Sequence, residues 1–167
     1  ITGLVGSEMC IRDSPDVVAG LQDRGIRLFP TLDHFFDAGC PDTDTLTLPI
    51  GIHQHAAQSI RALEAGMHVF CEKPAAATVQ DVDAMIEAAH SAKRCLAVGF
   101  QFLHAPAIQT IKGRLCGGEF GSVLSARVLG NWPRSANYYQ RNAWAGKMKL
   151  GNQWVLDTPA NNAMAHD

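Results

Sequence analysis

Short apolar runs alternating with amphipathic stretches predict an α/β chain built on a parallel sheet. Three observations carry this expectation. The runs "IRLF", "TLTLP", "HVFC" and "CLAVGF" have the length and the Leu, Val and Phe content of buried strands. A single stretch of helical period separates each run from the next. Gly25, Gly39 and Gly66 stand where those helices should stop. Strands spaced by single helices imply βαβ crossovers and a sheet covered on both faces.

In chain order, Val17 to Arg24 reads as a helix closed by Gly25, and "IRLF" as a short strand. "TLDHFFDAG" is a helix begun by Thr31 and ended by Gly39. "TLTLP" alternates as a strand does, with Pro49 stopping it. From His53 to Ala65 a helix places Ala56, Ile60 and Leu63 on one face, and Gly66 ends it. "HVFC" is the next buried strand. Thr78 opens a helix with Asp81 as its acidic capping partner, and Val79, Val82, Ile86 and Ala89 are expected as its inner stripe. "CLAVGF" is a further strand. Pro106 sits in the first turn of a helix whose Ile108, Ile111 and Leu115 should face inward before Gly117 and Gly118. After Gly121 the texture changes: "SVLSARVLG" reads as a longer strand, followed by an aromatic, polar stretch.

The composition is that of an ordinary globular chain. Of 167 residues, 47% are hydrophobic and 18% charged, with a formal net charge of −2. No apolar run approaches the roughly 18 residues of a membrane helix. No Lys/Arg cluster points to nucleic acid. Cys10, Cys40, Cys71, Cys95 and Cys116 form no CxxC pair and no even framework. They read as reduced thiols of a cytoplasmic protein, with Cys71 and Cys95 as small core residues and no metal role.

Leu4 to Ser14, "LVGSEMCIRDS", is identified as the translation of a transposase-type sequencing adaptor. Residues 1–14 are therefore expected to be non-native and are set apart from fold reasoning. On that reading native sequence begins near Pro15 and the chain is a fragment that does not turn over by itself. Residues 15–119 form one truncated domain, and residues 120–167 the start of another.

In an open parallel sheet, ligands bind outside the carboxyl ends of the strands. "PIGIH", "EKP" and "FQFLH" each follow a strand, so His53, Glu72, Lys73 and Gln101 are candidates to converge on one crevice. Pro74 would set the backbone as it leaves the strand. His34, His55 and His90 read as surface residues and His68 as structural, while His104 needs no function. Tyr138, Tyr139, Arg141 and Trp144 suit either a sugar site or packing.

P-x-x-x-H at Pro49–His53, "ALEAGMHVFCEKP" and "LAVGFQ" together resemble the Gfo/Idh/MocA family of nicotinamide-dependent oxidoreductases, from about Leu28 to Asp157. The resemblance implies a truncated Rossmann domain that binds NAD or NADP, then the start of an α+β substrate domain with a mainly antiparallel sheet. It gives Lys73 the substrate hydroxyl and its proton, and Glu72 the cofactor ribose. Pro49 and His53 fall near the nicotinamide, Pro74 stays with the cofactor-binding motif, and Gln101 lies at the edge of the substrate pocket.

The chemistry suits these residue types. Oxidising a carbinol sends a hydride to the cofactor and a proton to a base, and an amine in a desolvated crevice can take that proton. No G-x-G-x-x-G occurs from Pro15 onward, so the pyrophosphate loop is expected upstream. The acidic residue that separates NAD from NADP is expected there too.

"WVLDTPANNAMAHD" departs from the family's Asp-x-x-x-His. Asp157 fits the first position, Asn161 stands where the His is usual, and His166 lies five residues beyond. Asp157 is thus expected to share proton transfer with Lys73, Asn161 to orient a substrate hydroxyl, and His166 to be the weaker substrate-side candidate. The expected substrate is a sugar, cyclitol or related polyol derivative, handled by a homo-oligomeric parent. The alternatives are an NAD-dependent glycosidase of the same family and a cofactor-binding protein without turnover.

Overall fold

The computed structural model describes residues 3–5, 15–40, 43–127, 129, 133, 135–140 and 142–156. Its elements are β1 (Gly3–Val5), α1 (Pro15–Asp23), β2 (Arg27–Phe29), α2 (Leu32–Asp37), β3 (Thr45–Leu48) and α3 (Ile52–Glu64). They continue with β4 (His68–Cys71), α4 (Val79–Ala92), β5 (Leu96–Val98), a 3₁₀ turn (Gln101–His104) and α5 (Pro106–Cys116). The short elements α6 (Ala136–Gln140), β6 (Lys149–Leu150) and β7 (Gln153–Trp154) close the series.

The centre is the parallel ladder β3-β4-β5. In β3 the alternation Thr-Leu-Thr-Leu places Leu46 and Leu48 inward and both threonines outward, the period of two that a one-sided strand requires. In β4, Val69 and Cys71 point the same way. Helices α3 and α4 pack on that face, and Leu48, Leu63, Met67 and Met85 are its fully buried apolar centre. Burying each such side chain contributes about 1.5–3 kcal/mol. Phe35 of α2 extends this core, held edge-on to Phe29 and Phe36. Arg61 of α3 reaches across to the Asp33 carboxylate and lies over the Phe36 ring.

The caps are chemical. Thr31 and Thr78 each accept a backbone N–H of the following turn, from His34 and Asp81 respectively. Gly66 leaves α3 at φ +85, where a side chain would be strained.

β1 pairs in parallel with β2 as a separate two-stranded ladder, Gly3 opposite Arg27. So residues set apart as adaptor-derived still contribute a strand.

Five expectations are corrected. Among the described residues one face of the β3-β4-β5 ladder is covered; Thr45, Thr47, Phe70 and Ala97 leave the other exposed. The inner line of α4 is Val82, Met85 and Ala89, whereas Val79 is 68% and Ile86 47% exposed. Neighbouring residues sit about 100° apart on a helix, so Met85 and Ile86 cannot share one line. Ile108, Ile111 and Leu115 are exposed, because no described element packs on that side of α5. The described part of "SVLSARVLG" forms no strand and is exposed, with Leu124 at 95%. The antiparallel pair comes later, where β6 and β7 pair Lys149 with Trp154. Cys95, finally, is exposed at the mouth of β5, while Cys71 is buried as expected.

Candidate active site

The register of the ladder builds the site. Leu48 stands opposite Cys71, and Cys71 opposite Val98, so three strands end at one level. Backbone bonds carry the ladder one step past each end. Glu72 N–H donates to the Leu48 carbonyl at 3.3 Å, and Gly99 N–H to the Cys71 carbonyl at 2.8 Å. Pro49–Gly51, Glu72–Pro74 and Gly99–Gln101 therefore leave the sheet side by side.

Of the expected residues, Pro49, His53, Glu72, Lys73, Pro74 and Gln101 are brought to this one edge. Lys73 is exposed, and its backbone N–H donates to the Glu72 carboxylate at 3.1 Å. Lys73–Pro74 is a cis peptide. Gln101 opens the 3₁₀ turn, exposed. His53 is half-buried in the first turn of α3, its Nε2 within 3.2 Å of the Gln54 amide. Asp157, Asn161 and His166 lie outside the described residues, as does Arg141.

Cys71 ends the strand that delivers Glu72. Burial pushes its thiol up to about 11, the Glu72 charge pushes in the same direction, and the S–H donates to the Glu72 and Ala75 carbonyls at 3.4 and 3.7 Å. The thiol thus stays protonated near neutrality and serves as a packing group rather than a nucleophile. Among the described residues no group of three or more His, Cys, Asp or Glu is placed to hold a metal ion.

Two features escaped the sequence reading. His55, which reads in the sequence as a surface residue, is 1% exposed. Its Nδ1 lies 2.8 Å from the Pro74 carbonyl and its Nε2 3.1 Å from the Ile50 carbonyl. The signal was its period: His55, Ser59, Ala62 and Leu63 are the buried positions of α3, spaced i, i+4, i+7 and i+8. The second is the meeting of Gly51 with Trp144. A Cβ on Gly51 would stand 2.6 Å from His53 Cε1 and 3.0 Å from Trp144 Nε1. The Asn142 side chain presents Trp144 there, accepting from the N–H groups of Trp144 and Ala145 at 3.2 and 2.7 Å. The aromatic stretch therefore packs on the rim of the strand-end crevice.

Gly51 has φ −70, which any residue adopts, so only space keeps it glycine. Gly51→Ala is expected to cost about 1–3 kcal/mol through overpacking. Urea unfolding checks this, and adding Trp144→Ala to Gly51→Ala should recover part of the loss.

A parallel ladder whose strands end at one level, with helices on its inner face, is the α/β architecture in which ligands bind at the strand ends. The model of the Gfo/Idh/MocA oxidoreductase family, NAD-binding Rossmann fold, matches residues 12–100. The chain belongs to that family.

The 1,5-anhydro-D-fructose reductase of Ensifer adhaerens is 33% identical over 91 residues, 54% of this chain and 27% of the relative. Inositol 2-dehydrogenase 3 of Saccharopolyspora erythraea is 31% identical over 124 residues, 71% of this chain and 37% of the relative. Among solved structures, the WlbA dehydrogenase of Bordetella pertussis, in complex with NADH and UDP-GlcNAcA, superposes with a TM-score of 0.70. It is 26% identical and covers 88% of this chain, which in turn covers 40% of that one. The chain thus spans between about a quarter and two fifths of the length of these relatives. Among the described residues no helix is long and apolar enough to cross a membrane.

Proposed function

We propose that the protein carrying this chain oxidises a carbinol of a sugar, cyclitol or related polyol, using NAD or NADP. The observation behind this reading is the level alignment of the three strand ends, which sets Glu72–Pro74 between Pro49–Gly51 and Gly99–Gln101. That edge fits a dinucleotide lying across the strand ends. Glu72 would hold the ribose, while Pro49, His53 and Pro74 would line the nicotinamide end. The bound nicotinamide supplies the hydride acceptor. The Lys73 amine takes the hydroxyl proton as the carbon–hydrogen bond breaks and the carbonyl forms, with Asp157 sharing that proton. Asn161 orients a neighbouring hydroxyl, Gln101 borders the substrate, and His166 stands by as a weaker contact.

The relatives support this reading: one is named a 1,5-anhydro-D-fructose reductase, another an inositol 2-dehydrogenase, and the solved WlbA dehydrogenase holds NADH and UDP-GlcNAcA. We infer further that residues 15–119 and 120–167 belong to two domains, and that the parent is a cytoplasmic homo-oligomer without a nucleic-acid partner. The test is a polyol and sugar panel with the full-length protein. The reading expects reduced cofactor in step with ketone product. Glycoside cleavage without net reduction would overturn it, as would cofactor binding without any product.

A further inference from the structure

The imidazole of His55 sits between the two loops at the strand ends. It lies in the first turn of α3 and reaches back toward the helix start, the direction in which helical side chains lean. Its Nδ1 meets the carbonyl one residue after Lys73, and its Nε2 the carbonyl one residue before Gly51. Other contacts also hold the loop around Lys73. Glu72 N–H is held by the end of β3, and Lys73 N–H by the adjoining Glu72 carboxylate. On the far side of Lys73 the loop is held by the His55 contact at Pro74 and by the weaker Cys71 S–H donated to the Ala75 carbonyl at 3.7 Å; the His55 contact comes from a group shielded from water, where lost hydrogen bonds are not replaced by solvent.

We propose that His55 is a positioning residue: its Nδ1–H, donated to the Pro74 carbonyl, sets where the Lys73 amine stands at the strand ends, while the ring packs beside the Ile50 carbonyl of the facing loop. This rests on the assignment of Lys73 as the proton-accepting group. It goes further in making a buried histidine, which touches neither substrate nor cofactor, a determinant of turnover. Displacing a reacting group by about 1 Å can cost on the order of 10²-fold in rate.

The two ring nitrogens can be separated by substitution. Asn places an amide nitrogen near the Nδ1 position and Gln near the Nε2 position, while Phe keeps the ring and removes both. In the full-length protein His55→Phe is expected to lower kcat by about 10–10²-fold, with substrate KM and cofactor Kd within about threefold. His55→Asn should recover most of that loss and His55→Gln little of it. Amide hydrogen exchange at Lys73 and at Ala75–Ala77 should rise in the Phe and Gln variants and stay near the parental rate in Asn. If His55→Phe does not fold, the Asn and Gln pair still decides. Equal kcat in Asn and Gln, or kcat at the parental level while exchange rises, would reduce His55 to a packing residue and overturn the proposal. Unchanged exchange in every variant would do the same. Should the unmodified protein reduce no cofactor with any polyol, the assignment of Lys73 fails separately, and the exchange rates alone decide whether His55 sets the loop.

Discussion

Lys73→Met in the full-length protein is expected to lower kcat by about 10²–10⁴-fold, the usual worth of a positioned acid–base group. Met keeps most of the side-chain volume and removes the amine. Since Lys73 is exposed and its backbone is held by Glu72 and the neighbouring loop rather than by its side chain, the fold should not suffer. Cofactor Kd should change little, because the ribose is assigned to Glu72. The fall should appear equally in kcat and kcat/KM, marking a contact that matters in the transition state. A Lys73→Met enzyme near the parental kcat would show that "EKP" is here a structural motif.

Asp157→Asn and Asn161→Ala are expected to give the second large loss, and His166→Ala a small one. Asn161 stands where the family usually has His, and an amide donates and accepts hydrogen bonds but does not exchange a proton near neutral pH. On the proposed assignment, proton transfer falls to Lys73 and Asp157. His166 is five residues past Asn161, rotated by about 140° on a straight helix. The competing reading is that the asparagines only cap a helix, in which case Asn161→Ala would lower stability and leave kcat alone. Steady-state kinetics on the three variants decides, and a collapse confined to His166→Ala would overturn the assignment.

Strand and helix order was legible because its causes are local: "TLTL" alternates, Thr31 and Thr78 cap, and Gly66 takes the left-handed turn. The strand-end placement of His53, Glu72, Lys73 and Gln101 was legible too, since a parallel sheet with short crossovers leaves few other edges for them. What failed was what depends on neighbours. The stripe of α4 was misplaced because Val79 and Met85 are equally apolar, and only the packing of α3 selects between the lines through them. Ile108, Ile111 and Leu115 look like an inner face, yet no described element meets them. His55 was misjudged because its partners are backbone carbonyls of two loops, one of them 19 residues away, and carbonyls leave no mark in a sequence. Trp144 stands beside Gly51, a contact that the aromatic stretch does not announce.

The central claim is that this crevice moves a hydride from a carbinol carbon to a nicotinamide while Lys73 takes the proton. Its most direct measurement uses a polyol deuterated at the reacting carbon, with the full-length protein and oxidised cofactor, and mass analysis of the cofactor. One deuterium is expected in each reduced nicotinamide, formed in equal amount with ketone and slowed by Lys73→Met. Product formed with no deuterium in the cofactor, or at the same rate in Lys73→Met, would contradict it.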